Sequence, residues 1–213
     1  MPVLLMLLLM FHALPLHAGP WLREKGESFL SFSLEADLLE GGDFAAFYGE
    51  YGWSERTTVG LDLGGHSGEM SKALIFVRRH FGTAPGGMLL AVELGSGLAG
   101  GDRALRPGLS FGRGFDWKGH SGWLVLDARA LILDEGRETA WEGDLTFGFR
   151  AFRKSRAILQ LQARQPVSGD AQIKLAQSWV IERAPGRHLE IGMTAGIRNS
   201  DALALKLALW HSF

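Results

Sequence analysis

Leu203-Ala204-Leu205-Lys206-Leu207-Ala208-Leu209-Trp210-His211-Ser212-Phe213 closes the chain. From Leu203 to Leu209 every second residue is leucine, and two alanines and a lysine stand between them. Side chains of a strand point alternately to opposite faces, so a period of two gives an extended segment one apolar face and one mixed face. A helix would scatter the same leucines around its circumference.

The period recurs upstream. Leu30, Phe32, Leu34, Ala36 and Leu38 alternate with Ser31, Ser33, Glu35 and Asp37. Val59, Leu61 and Leu63 alternate with Thr58, Gly60 and Asp62, and Ala157, Leu159, Leu161 and Ala163 with Gln160, Gln162 and Arg164. Turn-forming clusters fall between such runs: Glu40 to Asp43, Ser54 to Arg56, His66 to Ser71, Gly82 to Gly86, Gly97 to Arg103 and Asp116 to Gly119. The series continues at Asp134 to Gly136, Arg153 to Ser155, Pro166 to Asp170, Ala184 to Gly186 and Asn199 to Asp201. These breaks predict twelve antiparallel strands, with ten as the alternative. The spacing of about 16 residues suits a tilted membrane strand of about 9–11 residues plus a turn. Connections of about three to eight residues leave no long loop to serve as a plug or lid.

Composition narrows the classes. The chain has 213 residues, a formal net charge of −1, 29 glycines and no cysteine. Near-neutral charge argues against nucleic acid as a partner, and the missing cysteine removes disulfide and thiol chemistry. A mean hydropathy of +0.06 is too low for a bundle of membrane helices. Residues Val3 to Phe11 are nevertheless an unbroken apolar run, followed by Pro15 and Ala18. That order describes a secretory leader over 1–18, cleaved after Ala18, and the run is too short to be a membrane anchor. One domain is expected over 19–213.

Alternation alone fits a soluble sandwich or lipocalin-like barrel as well as a membrane barrel. An even strand count permits closure, which a membrane sheet requires because an open edge leaves backbone groups unpaired in hydrocarbon. With both termini on the periplasmic side, Trp53, Phe81, Phe115, Trp117, Phe149, Phe152, Trp179 and Phe213 fall near one rim, as an interfacial aromatic girdle does. Arg79 and Arg113 take the outward parity close to that rim, where a cation costs only about 0–1 kcal/mol.

The strand ending on Phe213 resembles the C-terminal assembly signal of bacterial outer-membrane barrels. Lys206 and Phe213 match that signal, whereas Ala208 replaces its glycine and His211 its penultimate hydrophobic residue. The resemblance implies a Gram-negative outer membrane, surrounding membrane lipids, and insertion by the barrel-assembly machinery. More narrowly, Gly19-Pro20-Trp21 through Ser31 and Tyr51-Gly52-Trp53-Ser54-Glu55-Arg56-Thr57-Thr58-Val59-Gly60-Leu61 are similar to small barrels described as phenol-degradation-pathway (MetA-type) transporters.

Two motifs of soluble enzymes occur out of context. Gly95-Ser96-Gly97-Leu98-Ala99-Gly100 matches a dinucleotide fingerprint, but no helix start follows it. Gly108-Leu109-Ser110-Phe111-Gly112 matches a nucleophile elbow, but it reads as period two within a strand. The His-Ser pairs at His66, His120 and His211 have no acidic partner at a telling spacing, and the histidines are scattered singly. No catalytic residue, metal ligand or cofactor is therefore expected.

The polar parity is more informative. It carries Glu35, Glu50, Asp62, Glu93, Asp127, Glu142, Asp144 and Glu190, and also Arg78, Arg106, Arg129, Arg150, Arg164, Lys174 and Lys206. Asp37, Glu182, His80 and Gln160, Gln162 and Gln172 share it. Interspersed charges predict cross-strand ion pairs in a narrow lumen, without the cation excess of an anion-selective pore. The expected function is a passive pore or transporter for small polar or amphipathic solutes. A structural barrel with a closed, salt-bridged lumen and an outer-membrane lipid-modifying enzyme are the alternatives.

Overall fold

A computed structural model describes residues 20–39, 41–66, 68–84 and 87–213; the expected leader over 1–18 lies outside the described residues. Twelve strands follow one another: β1 (Ser28–Asp37), β2 (Asp43–Ser54), β3 (Thr57–His66), β4 (Glu69–Ala84), β5 (Met88–Ala99) and β6 (Asp102–Trp117). They continue as β7 (His120–Leu133), β8 (Glu138–Phe152), β9 (Ser155–Gln165), β10 (Gln172–Ala184), β11 (Arg187–Arg198) and β12 (Leu203–Ser212). Each strand pairs antiparallel with its chain neighbours, and β12 returns to β1 in a ladder running from Phe29 opposite Ser212 to Asp37 opposite Ala204. Twelve strands, and not ten, thus close into a barrel with no free edge.

Closure is completed at the chain end. The Ser28 N–H donates to the Phe213 carbonyl at 2.7 Å, and the Phe213 N–H donates to the Ser28 carbonyl at 3.1 Å. Connections are even shorter than expected, two to six residues. The two-residue reversal between β6 and β7 uses backbone that few side chains adopt: Lys118 and Gly119 both have positive φ, at 52° and 81°.

The period of two resolves into an outer and an inner face. Leu205, Leu207 and Leu209 are 50, 50 and 60% exposed, while Ala204 and Ala208 between them are buried inside the barrel. The same outward set includes Phe32, Leu34, Ile75, Val77, Leu94, Leu126 and Ile191. A continuous apolar exterior of this kind is far larger than the patches a soluble monomer tolerates, and hydrocarbon is the solvent that fits it.

The inner face is less polar than the alternation predicts. Leu74, Ala99, Ala104, Leu131 and Ala140, with Leu133 against them, form an apolar cluster inside the wall of β4 to β8. It lies toward the rim away from the chain termini. Leu74 and Phe76 share the inward parity of Lys72 and Arg78, because Gly60, Asp62 and Gly64 of β3 face them across the ladder. Residues 73–77 are apolar at both parities, so the pattern carries no contrast there.

Candidate functional site: a charged lumen with an N-terminal strap

Inward carboxylates and cations of β2 to β8 meet in one connected chain. Arg78 on β4 holds Glu50 on β2 through Nη1 at 2.6 Å and Glu93 on β5 through Nη2 at 2.7 Å. Arg106 on β6 reaches the other oxygen of Glu93 at 3.0 Å and Asp62 on β3 at 2.5 Å, and Lys72 on β4 takes the second oxygen of Asp62 at 2.8 Å. Tyr48 donates its hydroxyl to Glu50 at 2.6 Å and accepts from Arg78 at 3.1 Å. Arg129 on β7 extends the chain toward Asp144, Asp127 and Glu93 at 3.4, 3.7 and 3.9 Å. The Ser110 hydroxyl donates to Asp127.

Alternation places these groups. Every member has the inward parity of its strand, so opposite charges meet between adjacent strands, as at Arg78 and Glu93, and long arginines also reach past intervening strands to Glu50 and Asp62. The arginines are central because a planar guanidinium serves two carboxylates at once. Arg78 is 2% exposed and its partners Glu50 and Glu93 are 4 and 7% exposed, so the charges neutralise one another almost out of water.

Residues 20–24 enter the lumen at the rim that carries the termini. The Pro20 carbonyl lies 2.9 Å from His80 Nδ1 and can only accept, so Nδ1 carries the proton and Nε2 faces Thr58 Oγ1 at 3.4 Å. Arg23 Nε donates to Glu50 at 2.6 Å, and its guanidinium stacks 4.6 Å from the centre of the Phe29 ring. Across the lumen, Pro20 and Trp21 pack so tightly on Gly112 of β6 that any Cβ there would strike both. A Lys25-Gly26 turn then leads the chain into β1, with Gly26 donating to the Gly52 carbonyl at 2.9 Å.

This strap corrects the expectation that nothing folds inward. It has no periodic pattern, and its anchors are spread over β2, β4 and β6. Gly112, at the inward parity of β6, is a trace of it in the sequence.

Between the charged wall and the opposite strands remains a cavity of about 430 Å³. Its neutral side is built by Gln160, Gln162, Thr146, Ser178 and Thr194. There Gln162 donates to Gln160 at 2.7 Å, and Gln160 donates to Thr146 at 3.1 Å. Trp123 and Trp210 close it toward the strap, and Trp210 donates its indole N–H to Glu190 at 3.1 Å.

Of the residues expected in the lumen, Glu50, Asp62, Arg78, Glu93, Arg106, Asp127, Arg129 and Asp144 come together in the ion-pair chain. Glu35, Glu142, Glu190 and Lys206 border the cavity, with Lys206 and Glu190 paired at 3.2 Å. Arg150, Arg164 and Lys174 stand apart from the cavity lining. Arg150 sits opposite Arg156 toward the terminal rim, and Arg164 and Lys174 lie toward the other end. Lys72, Arg23 and Tyr48 were missed; Lys72 shares the parity of Arg78 and was legible from it.

The eight aromatics Trp53, Phe81, Phe115, Trp117, Phe149, Phe152, Trp179 and Phe213 have the outward parity on the terminal half of the barrel. Trp53, Trp117, Phe152 and Phe213 are 64–70% exposed. Arg79 and Arg113 also point outward there.

Among the described residues no histidine is bonded to Ser110, and His80 is taken up by Pro20 and Thr58. His66 and His120 instead lie against the backbone carbonyls of Asp43 and Arg150. Among the described residues no group of three or more His, Cys, Asp or Glu side chains is arranged to hold a metal ion.

No protein-family profile and no curated protein sequence matches the chain. Its fold, however, is that of several solved bacterial barrels. The KdgM porin superimposes with a TM-score of 0.68 at 7% identity, over 87% of this chain and 99% of that one. The NanC porin gives 0.65 at 7% identity, over 86% and 98%, and an outer membrane channel from Pseudomonas putida F1 gives 0.58 at 9% identity, over 91% and 97%. At these identities the likeness shows a shared architecture, the closed antiparallel barrel of outer-membrane porins and channels.

Proposed function

We propose that the chain is an outer-membrane barrel acting as a narrow passive pore for small polar or amphipathic solutes. The observation that carries this reading is the cavity itself, a polar space inside a closed barrel whose exterior is apolar. The architecture shared with porins and with an outer membrane channel supports it. In this reading the leader over 1–18 is removed on export, and the strand ending in Phe213 is recognised by the assembly machinery. The strap rim faces the periplasm. A phenol-degradation-pathway transporter is the narrower version, resting on Gly19 to Ser31 and Tyr51 to Leu61.

The charge arrangement sets the solute class. Arg78 and Arg106 are each committed to two carboxylates, and Arg129 lies near three. Little cationic field is left to draw an anion through the lumen, which favours neutral or zwitterionic solutes. The strap narrows the periplasmic mouth and limits size. Swelling of proteoliposomes in isotonic monosaccharide and zwitterion tests this directly. Uptake of a monosaccharide faster than of a trisaccharide is the expected outcome, and swelling no faster than in empty liposomes would remove the pore reading.

A second reading, a structural barrel with a closed lumen, is favoured by the strap and the unbroken ion-pair chain. It is separated from the first by the same swelling assay. The enzyme reading has no support from the surroundings of Ser110.

A further inference from the structure

The outer wall carries a second concavity, of about 700 Å³, that the pore does not use. It crosses the exterior of β1 to β6. Its middle row runs from Leu30 through Gly49, Leu61, Ile75 and Ser96 to Leu105, residues that face one another across successive ladders. Gly49 and Ser96 are the smallest outward side chains in that row, and they leave the depression that Phe47 and Tyr51 flank. The volume lies within the range of about 300–1,000 Å³ typical of small-molecule sites.

At its periplasmic edge the concavity meets a fixed cation. Arg79 and Thr57 each lie two residues beyond groove residues, Val77 and Val59, and so on the same outer face one step of about 6–7 Å nearer the rim. They are direct cross-strand partners, and Arg79 donates through Nη1 to Thr57 Oγ1 at 2.9 Å. Trp53, two residues beyond Tyr51, stands beside them and is 66% exposed. An arginine held on the lipid face, next to an interfacial tryptophan and below an apolar groove, matches one kind of molecule. It must carry an anionic group at headgroup depth and an apolar chain in the hydrocarbon.

We infer that this is a phospholipid site of the periplasmic leaflet, with the phosphate at Arg79 and Thr57 and an acyl chain along the groove past Gly49 and Ser96. The inference rests on the outer-membrane reading, which fixes what surrounds the wall. Charge complementarity selects a phospholipid over a second copy of the barrel, because a copy would have to bury Arg79 or supply it with an acid.

The test is native mass spectrometry of the folded protein in detergent, with phosphatidylglycerol or with diacylglycerol as its phosphate-free counterpart. Folding of every variant is checked by the shift in gel mobility on boiling. Wild-type protein should retain one phosphatidylglycerol and much less diacylglycerol. Arg79→Ala should lower phosphatidylglycerol retention about five-fold, the equivalent of about 1 kcal/mol per basic residue near a lipid surface. Ser96→Leu, which fills the groove and leaves the charge, should lower retention of both lipids, while Arg113→Ala should change neither. Equal retention by wild type and Arg79→Ala, or no preference for the phosphate, would overturn the site with the barrel reading intact. A mass for two barrels without lipid would assign the groove to a second copy and overturn it equally. A wild-type protein that shows no mobility shift would instead remove the membrane reading, and this site with it.

Discussion

Arg78→Met should destabilise the barrel by about 3–5 kcal/mol, the usual cost of removing one partner from a buried ion pair. Arg78 is 2% exposed and makes contacts of 2.6 Å to Glu50 and 2.7 Å to Glu93, so methionine leaves two carboxylates short of a cation. Each carboxylate keeps a second partner, Arg23 at 2.6 Å and Arg106 at 3.0 Å, which places the expected loss near about 3 kcal/mol. Arg78→Lys keeps the charge but loses the two-pronged geometry, and should fall between. The double change Arg78→Met and Glu93→Gln should recover most of the loss, because Glu50 then keeps Arg23 and Arg106 keeps Asp62. Urea titration of refolded protein in lipid vesicles, followed by tryptophan fluorescence and by gel mobility, measures all three. A midpoint for Arg78→Met corresponding to less than about 1 kcal/mol would refute the picture of a connected, desolvated charge chain.

Other consequences are simpler to test. Gly112→Val places a side chain where Pro20 and Trp21 pack, so the strap should leave the lumen and become cleavable by an added protease while the barrel still shifts on gels. Leu126→Arg puts a cation at mid-strand on the outer face, where Leu126 is 47% exposed, and should cost about 2–4 kcal/mol in vesicle unfolding. Arg113→Leu, near the rim, should cost less than about 1 kcal/mol in the same assay. N-terminal sequencing of protein recovered from outer membranes should read Gly-Pro-Trp, beginning at Gly19, and a sequence starting at Met1 would exclude leader cleavage.

How much of this was legible depended on local contrast. Strands such as 159–164 and 203–209 announce their faces because leucine or alanine alternates with glutamine and arginine in the first, and leucine with alanine and lysine in the second. The turns were equally plain, since Gly, Pro, Asp and Asn gather there for backbone reasons that hold within a few residues. The charged parity followed from the same counting, and cross-strand pairing then made neighbours of Arg78 and Glu93, while Glu50 is reached across the intervening β3. Two features resisted. Residues 73–77 are apolar on both faces, so nothing local distinguished inward Leu74 and Phe76 from outward Ile75 and Val77. The strap depends on contacts between residues 20–23 and Glu50, His80 and Gly112, separated by 27 to 60 positions in the two pairs His80–Pro20 and Arg23–Glu50. Periodicity reports the immediate neighbourhood and is silent on such distant partners. The gap between the charged wall and the glutamines of β9 was hidden for a similar reason, because cavity volume depends on how side chains from all twelve strands meet.

Single-channel recording in planar bilayers tests the central claim most directly. Folded wild-type protein should give small, stepwise currents with little preference between potassium and chloride, and Gly112→Val, with its strap displaced, should give larger steps. Absence of any current above that of the bare bilayer from both proteins, each shown to be folded by its gel shift, would contradict the pore and leave a structural barrel.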